Sequence, residues 1–241
     1  MSEVQRLIQR YQDLSSKESL PQIMNKGLDK LIVYLQAPWK RRSFATKSFP
    51  FDGQQLQYAA HSYNATWRNE RAIEVPVLID FLQRHKGKKI LELGNVARYY
   101  GDFSHEVVDK YEQHPAVYNF DILDFKVDQP YHAFVSISTL EHIGWDEPVR
   151  DHSKISRVFE KLPDLVSNLD NVLFSFPTGY NSVLDQHLAK DELPFQKLLY
   201  FKRCNRANHW QPTCREEALG LRYDSRFPAA NGLAFGIGLK Y

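Results

Sequence analysis

The 241-residue chain reads as a doubly wound α/β fold: a mostly parallel, seven-stranded sheet with one antiparallel strand, extended at its amino end by helices. Two observations carry this reading. Short apolar runs, Ile90-Leu91-Glu92-Leu93-Gly94 and Ala133-Phe134-Val135-Ser136-Ile137-Ser138 among them, end in small or polar residues. Parallel strands buried on both faces end in this way where they meet a ligand. Helical periodicities alternate with such runs through the middle of the chain, which is the pattern of βαβ units.

The elements follow in order. Val4, Leu7, Ile8, Tyr11 and Leu14 fall at helical spacing, as do Leu20, Met24, Leu28, Leu31, Ile32 and Leu35. Ser19 suits the cap of the second helix and Pro38 its stop. Residues 1–62 are therefore expected as a helical extension that ends in a loop containing Pro50, Asp52 and Gly53, with one α/β domain over 63–241. A helix is expected over Arg68–Arg84, with a start or kink near Pro76. The first strand follows Lys88-Lys89, and the second lies near Glu106-Val107-Val108-Asp109. Val117 to Asp121 reads as a third strand or a strand-end loop, and Ala133 to Ser138 as the next central strand. Ile155, Val158, Phe159, Leu162, Leu165, Val166 and Leu169 trace a crossover helix that Pro163 should bend or restart. Asn171 to Phe176 is a buried strand stopped by Pro177, and Leu198–Phe201 and Leu233–Leu239 close the sheet.

Bulk numbers exclude several classes. Apolar and charged fractions of 43% and 25% are those of an ordinary globular protein. A net charge of +2 gives no global field for nucleic acid or an anionic membrane. Cys204 and Cys214 make no disulfide framework, and the amino terminus carries no apolar signal core, so a cytoplasmic setting is the simplest expectation. No run is long enough to span a bilayer, and the nine histidines show no paired ligand spacing, so no metal is expected.

Chemistry concentrates at the strand ends. Gly94 lets the backbone approach a ligand or makes a tight turn, and Glu92 beside it suits an ammonium or hydroxyl-bearing ligand better than a pyrophosphate. Asp109, 17 positions after Glu92, is placed to hold a ribose hydroxyl pair or to pair with Lys110. Asp121 with Ile122 could meet an adenine amino group and ring, or cap a turn. Tyr180 and Asn181 read more as structural than as acceptor contacts, and Trp210 as an acceptor wall or a core residue. Trp39-Lys40-Arg41-Arg42 reads as a solvated loop.

The order Leu91-Glu92-Leu93-Gly94, Asp109, Asp121, then Ser138-Thr139-Leu140-Glu141-His142 resembles the class I S-adenosylmethionine-dependent methyltransferases, with their Rossmann-like sheet. Thr66 to Glu74, Ser136 to Glu147 and Phe176 to Asn181 resemble more narrowly the methyltransferase-like proteins of bacterial glycan-synthesis gene clusters. The resemblance covers about residue 63 to the carboxyl end. It implies S-adenosylmethionine as cofactor, with Glu92, Gly94 and Asn95 beside its methionine part and Asp109 on its ribose. Asp121 and Ile122 would meet the adenine, Ser138, Thr139 and Leu140 would line the far wall, and Arg71 would reach the carboxylate. His142 is the implied general base, with Glu141 orienting it or acting as a base, unless the pair only caps or packs. The departure is the glycine turn, where G-x-G-x-G is reduced to Gly94 and Arg98 follows.

The expected function is methyl transfer to a small-molecule or glycan-linked acceptor, through a hydroxyl, with no nucleic-acid partner. The alternative is a non-catalytic module that binds a protein. A cavity beside Gly94 that is open, rather than filled by Arg98, Tyr99 or Tyr100, favours the enzyme. An Asn/Asp-Pro-Pro-aromatic loop, a Gly-x-Ser-x-Gly elbow and a phosphate loop are all absent from the sequence.

Overall fold

The computed structural model describes residues 32, 35–44 and 46–240. The amphipathic pattern over Val4 to Leu14, and most of that over Leu20 to Leu35, lies outside the described residues. Residues 35–44 are helical through Pro38, which therefore does not stop the helix. Ala37 and Phe44 on this stretch are buried, and their burial outweighs the donor that Pro38 lacks.

The stretch expected as a loop forms a hairpin, β1 (Ser48–Phe51) and β2 (Gln54–Gln57), antiparallel and in register from Ser48↔Gln57 to Phe51↔Gln54. Its two-residue turn is Asp52-Gly53, with φ of 48° and 81°. An Asp-Gly pair at two positive φ values is the turn that matches strand twist. Phe49 and Phe51 enter the core, where Phe51 meets Phe235 edge-on at 5.0 Å.

The remaining strands are β3 (Ile90–Leu93), β4 (Glu106–Val108), β5 (Ala133–Ile137), β6 (Val172–Thr178), β7 (Phe195–Arg203), β8 (Trp210–Thr213) and β9 (Gly232–Leu239). They make one seven-stranded sheet in the order β4-β3-β5-β6-β9-β7-β8. Seven strands and a mostly parallel sheet are as expected. Two strands, β9 and β8, run against the other five, where one was expected. The added one, β8, carries Trp210, which is buried and donates its Nε1–H to Asn208. Val117 to Asp121 contributes a single parallel bridge, Val108↔Tyr118, so it is a strand-end loop.

Helices cover both faces. One face of the sheet presents Ile90, Val135, Ile137, Leu173 and Phe235 to the hairpin and to α1 (Arg71–Arg84). The other presents Leu91, Leu93, Phe134, Phe174 and Phe176 to α2 (Lys154–Leu165), α3 (Ser182–Ala189) and α4 (Arg215–Leu219). Three prolines sit inside elements they were expected to interrupt. Pro76 lies within α1 and offers no N–H to the carbonyl of Ala72, which instead accepts from Ala59 N at 2.8 Å. Pro163 falls in the last turn of α2, where any bend from its ring and its missing donor has only two further helical residues to displace. Pro177 does not stop β6. The β5–β6 ladder closes with Ser138 N–H donating to Ser175 C=O, and β6 continues to Thr178 on β9 alone. A proline with no N–H to extend the parallel ladder lets β5 leave the sheet at Ser138. Among the described residues no helix is long and apolar enough to cross a membrane.

Asn181 caps α3 by accepting from Val183 N and Leu184 N, and Asp185 one turn later accepts Gly179 N with both oxygens at 3.1 Å. Burial pushes the Asp185 carboxyl up to about 6 from 3.8, and the Gly179 bond offsets only part of this. A raised carboxyl is held protonated more tightly in the folded state, so its stabilising effect is complete below 3.8 and is lost as pH rises to about 6. We expect about 1–2 kcal/mol of stability to be lost across that window after allowance for partial exposure. Asp185→Asn should flatten the loss. Urea midpoints that follow pH identically in both proteins would remove Asp185 as its source.

Candidate functional site

The chain runs from β3 outward to β4, then crosses back to place β5 on the other side of β3. That reversal leaves a crevice beyond the carboxyl ends of β3 and β5, where open α/β sheets bind ligands. A cavity of about 390 Å³ lies there, within the range of about 300–1,000 Å³ of small-molecule sites. Of the residues expected from sequence, Gly94, Asn95, Asp109, Asp121, Ile122, Ser138, Thr139 and His142 line it. Glu92, Leu140, Glu141 and Arg71 do not.

The turn after β3 is built by Glu92. Its carboxylate is fully buried, with Oε1 accepting Val96 N at 3.0 Å and Ala97 N at 2.9 Å. Its Oε2 lies 2.7 Å from His105 Nε2. A carboxylate committed to its own loop supports the cavity from behind rather than touching its contents. Gly94 has φ of +86°, and a Cβ there would meet Thr139 Oγ1 at 2.1 Å. The glycine is required by backbone conformation and by the close approach of the β5 end. Asn95 follows with its Oδ1 buried and without a partner. An orphaned acceptor in a cavity wall suits a ligand donor such as an ammonium.

Asp109 uses Oδ1 to accept Tyr111 N at 2.8 Å and Glu112 N at 2.9 Å, which holds it at the cavity rim. Asp121 is differently committed. Its Oδ1 accepts Leu123 N, and its Oδ2 receives Lys110 at 3.0 Å and Lys154 at 2.5 Å. The same two lysines bind Glu147, closing a ring of four charges. Burial alone would raise Asp121, but hydrogen bonds from Lys154 and Lys110 outweigh it and hold the carboxyl below the usual range. Ile122 is buried and supplies apolar surface beside this ring.

The β5 end turns sharply. Ser138 has φ of 39° and donates its hydroxyl to Glu74 Oε1 at 2.6 Å. Glu74, fully buried on α1, also takes Ser175 Oγ at 2.7 Å and pairs with Arg71 Nη1 at 2.7 Å. Arg71 is thus held behind the Ser138 wall and not in the cavity. Leu140 is buried in the core below α2, and so packs rather than binds. His142 is half-exposed, with Nδ1 2.5 Å from Asp146 Oδ2, and Tyr180 donates its hydroxyl to the same oxygen at 2.6 Å. Burial opposes ionisation of Asp146, yet the bonds from Tyr180 and His142 hold it below the usual range, which fixes the imidazole proton on Nδ1. Nε2 is 3.6 Å from Glu141 Oε1, too far for a hydrogen bond. Glu141 itself is buried, and its Oε2 has no partner.

The cavity beside Gly94 is open. Arg98 turns away to donate to the carbonyls of His105 and Ala116, Tyr99 stacks on Tyr63 at 4.3 Å, and Tyr100 packs against His61. The sequence reading assigned no cavity role to Lys110, Glu147 or Lys154, nor to Asp146 beside it, and Lys110 pairs with Asp121 and Glu147. The four-residue step from His142 was the available signal for Asp146. Among the described residues no three metal-ligating side chains converge.

No family model matches the sequence, and no curated protein does. Several solved structures are similar in arrangement. The N-methyltransferase NodS from Bradyrhizobium japonicum WM9 is 11% identical, over 69% of this chain and 94% of its own, with a TM-score of 0.39. A SAM-dependent O-methyltransferase from Thermotoga maritima is 12% identical over 81% and 78%, with a TM-score of 0.39. The tRNA (m1A58) methyltransferase TrmI from Aquifex aeolicus is 15% identical over 69% of each chain, with a TM-score of 0.35. At such scores the likeness says nothing of acceptor or activity.

Proposed function

We propose that the chain is an S-adenosylmethionine-dependent methyltransferase acting on a hydroxyl of a small-molecule or glycan-linked acceptor. The observation that carries the reading is the open cavity at the β3/β5 crossover, lined by Gly94, Asn95, Asp109, Ile122 and Thr139. The residues present fit the cofactor's parts. Asn95 offers an unpartnered acceptor for an ammonium, Asp109 a rim carboxylate for ribose hydroxyls, and Ile122 an apolar face for the base. The cofactor supplies a methyl group already activated on a sulfonium, so the protein's main task is to hold the acceptor in line with it. His142, fixed with its proton on Nδ1 by Asp146, is the group to take the acceptor's proton on Nε2. The small net charge favours a small acceptor over a nucleic acid.

Asp121 is a point at which the rival reading, a non-catalytic module that binds a protein, gains support. Its carboxylate is already bound by two lysines and is not free for an adenine amino group. Calorimetric titration with S-adenosylmethionine and S-adenosylhomocysteine separates the two. Binding in the micromolar range is expected, and Asp109→Ala should weaken it about tenfold or more while the fold stays intact. No heat at millimolar ligand would reject the enzyme reading, and an unchanged dissociation constant would take Asp109 out of the site.

A further inference from the structure

Glu141 is a buried carboxyl near the cavity with one oxygen unpartnered. It is 2% exposed, its Oε1 is 3.6 Å from His142 Nε2, and its Oε2 has no hydrogen-bond partner. It lies one side chain behind the cavity wall: His142 lines the cavity in front of it, and Ser138, also in the wall, donates to Glu74. The charged groups that act on it come from every neighbouring element. Glu70 precedes α1, Arg71 and Glu74 stand on it, His142 and Asp146 lie on Glu141's own segment, Tyr180 after β6 and Tyr223 after α4. Glu74 takes a close ion pair from Arg71, while the Glu70 carboxylate accepts the backbone N–H of Ala230. The cavity lining adds to the imbalance, since Asp109, Glu112, Asp121 and Glu147 face only Lys110 and Lys154.

We propose that Glu141 makes this cavity selective for a cationic ligand, a sulfonium in preference to the corresponding neutral thioether, by answering the ligand's charge across the Ser138–His142 wall. The inference rests on the methyltransferase reading for the identity of that ligand. The physical argument is one of charge balance. Burial pushes the Glu141 carboxyl well up, and the Glu74 and Glu70 carboxylates add to the push, against partial relief from a backbone hydrogen bond and Arg71. Beside a neutral ligand, burial and the unpartnered Oε2 therefore favour the protonated form of Glu141. A fixed positive charge in the cavity compensates the carboxylate and favours its ionised form, so the proton leaves to solvent, with half-exposed His142 and Asp146 as the nearest route. Uptake of the cation and loss of the proton are then linked. The thioether left after methyl transfer has no charge to hold Glu141 ionised and is released more readily.

The test needs no acceptor. S-adenosylmethionine and S-adenosylhomocysteine share every titrating group and differ in the sulfonium, so the difference between them isolates its effect. Each is titrated into the full chain at neutral pH in two buffers of different ionisation enthalpy, which gives the protons released on binding. The expected result is about one proton more released by S-adenosylmethionine, and a roughly tenfold preference for it. Glu141→Gln should equalise the proton counts and bring the affinity ratio close to one, while leaving S-adenosylhomocysteine binding unchanged. Equal proton release for both ligands by the unmodified protein overturns the proposal and leaves the methyltransferase reading standing. Binding of neither ligand at millimolar concentration overturns both.

Discussion

Glu92→Ala is expected to cost about 3–5 kcal/mol of stability and to abolish ligand binding with it. Glu92 is fully buried and accepts from Val96 N, Ala97 N and the His105 ring. Truncation leaves two amides and an imidazole without an acceptor in the interior, and each unmet amide donor costs about 1–3 kcal/mol. Glu92→Gln is the informative control. Its oxygen still serves the two amides, and its amide group can face the lone pair of a neutral His105, so a loss nearer 1 kcal/mol is expected. Denaturant midpoints with unchanged slope measure both. The alternative expectation, in which Glu92 touches the cofactor directly, gives the opposite signature: weakened binding at unchanged stability. That outcome would remove Glu92 from the loop and return it to the ligand.

The contrast shows what the sequence could and could not carry. That Glu92, Asp109, Asp121 and Ser138 stand at strand ends was legible, because buried parallel strands are runs of apolar residues and their ends are where the runs stop. Which way each side chain turns was not. Glu92 faces its own loop because the amides of Val96 and Ala97 lie within its reach once the chain bends at Gly94. Asp121 is claimed by Lys154, 33 positions away on a helix packed against the opposite side of the crevice. Long-range pairing of this kind leaves no local trace. Other omissions were legible in principle. Asp52-Gly53 between Ser48-Phe49-Pro50-Phe51 and Gln54-Gln55-Leu56-Gln57 is a two-residue hairpin turn in plain view. Reading the prolines as breaks hid it and also misplaced the end of β6. In each case a tertiary partner, Ala59 for the Ala72 carbonyl or β9 for β6, makes good what the proline withholds.

Gly94→Ala carries the second large effect, and its cause is separable into two parts. At φ of +86° an alanine is strained by its backbone alone, at about 1 kcal/mol or more. Its Cβ would also stand 2.1 Å from Thr139 Oγ1, a distance no pair of heavy atoms sustains. Thr139 cannot simply rotate away without giving up its bond to the carbonyl of Ile137 at 3.1 Å, and it sits where β5 leaves the sheet. The contact is therefore relieved by moving one strand end from the other, which closes or distorts the cavity between them. A loss of about 2–4 kcal/mol in stability and at least about 100-fold in ligand affinity is expected. Thr139→Ala in the same chain removes the clashing oxygen but leaves the backbone strain. The double variant should therefore recover stability to within about 1–2 kcal/mol of the Thr139→Ala protein, a coupling that a double-mutant cycle reads directly. Additive losses would place Gly94 and Thr139 out of contact, and with them the tight β3–β5 approach that shapes the cavity.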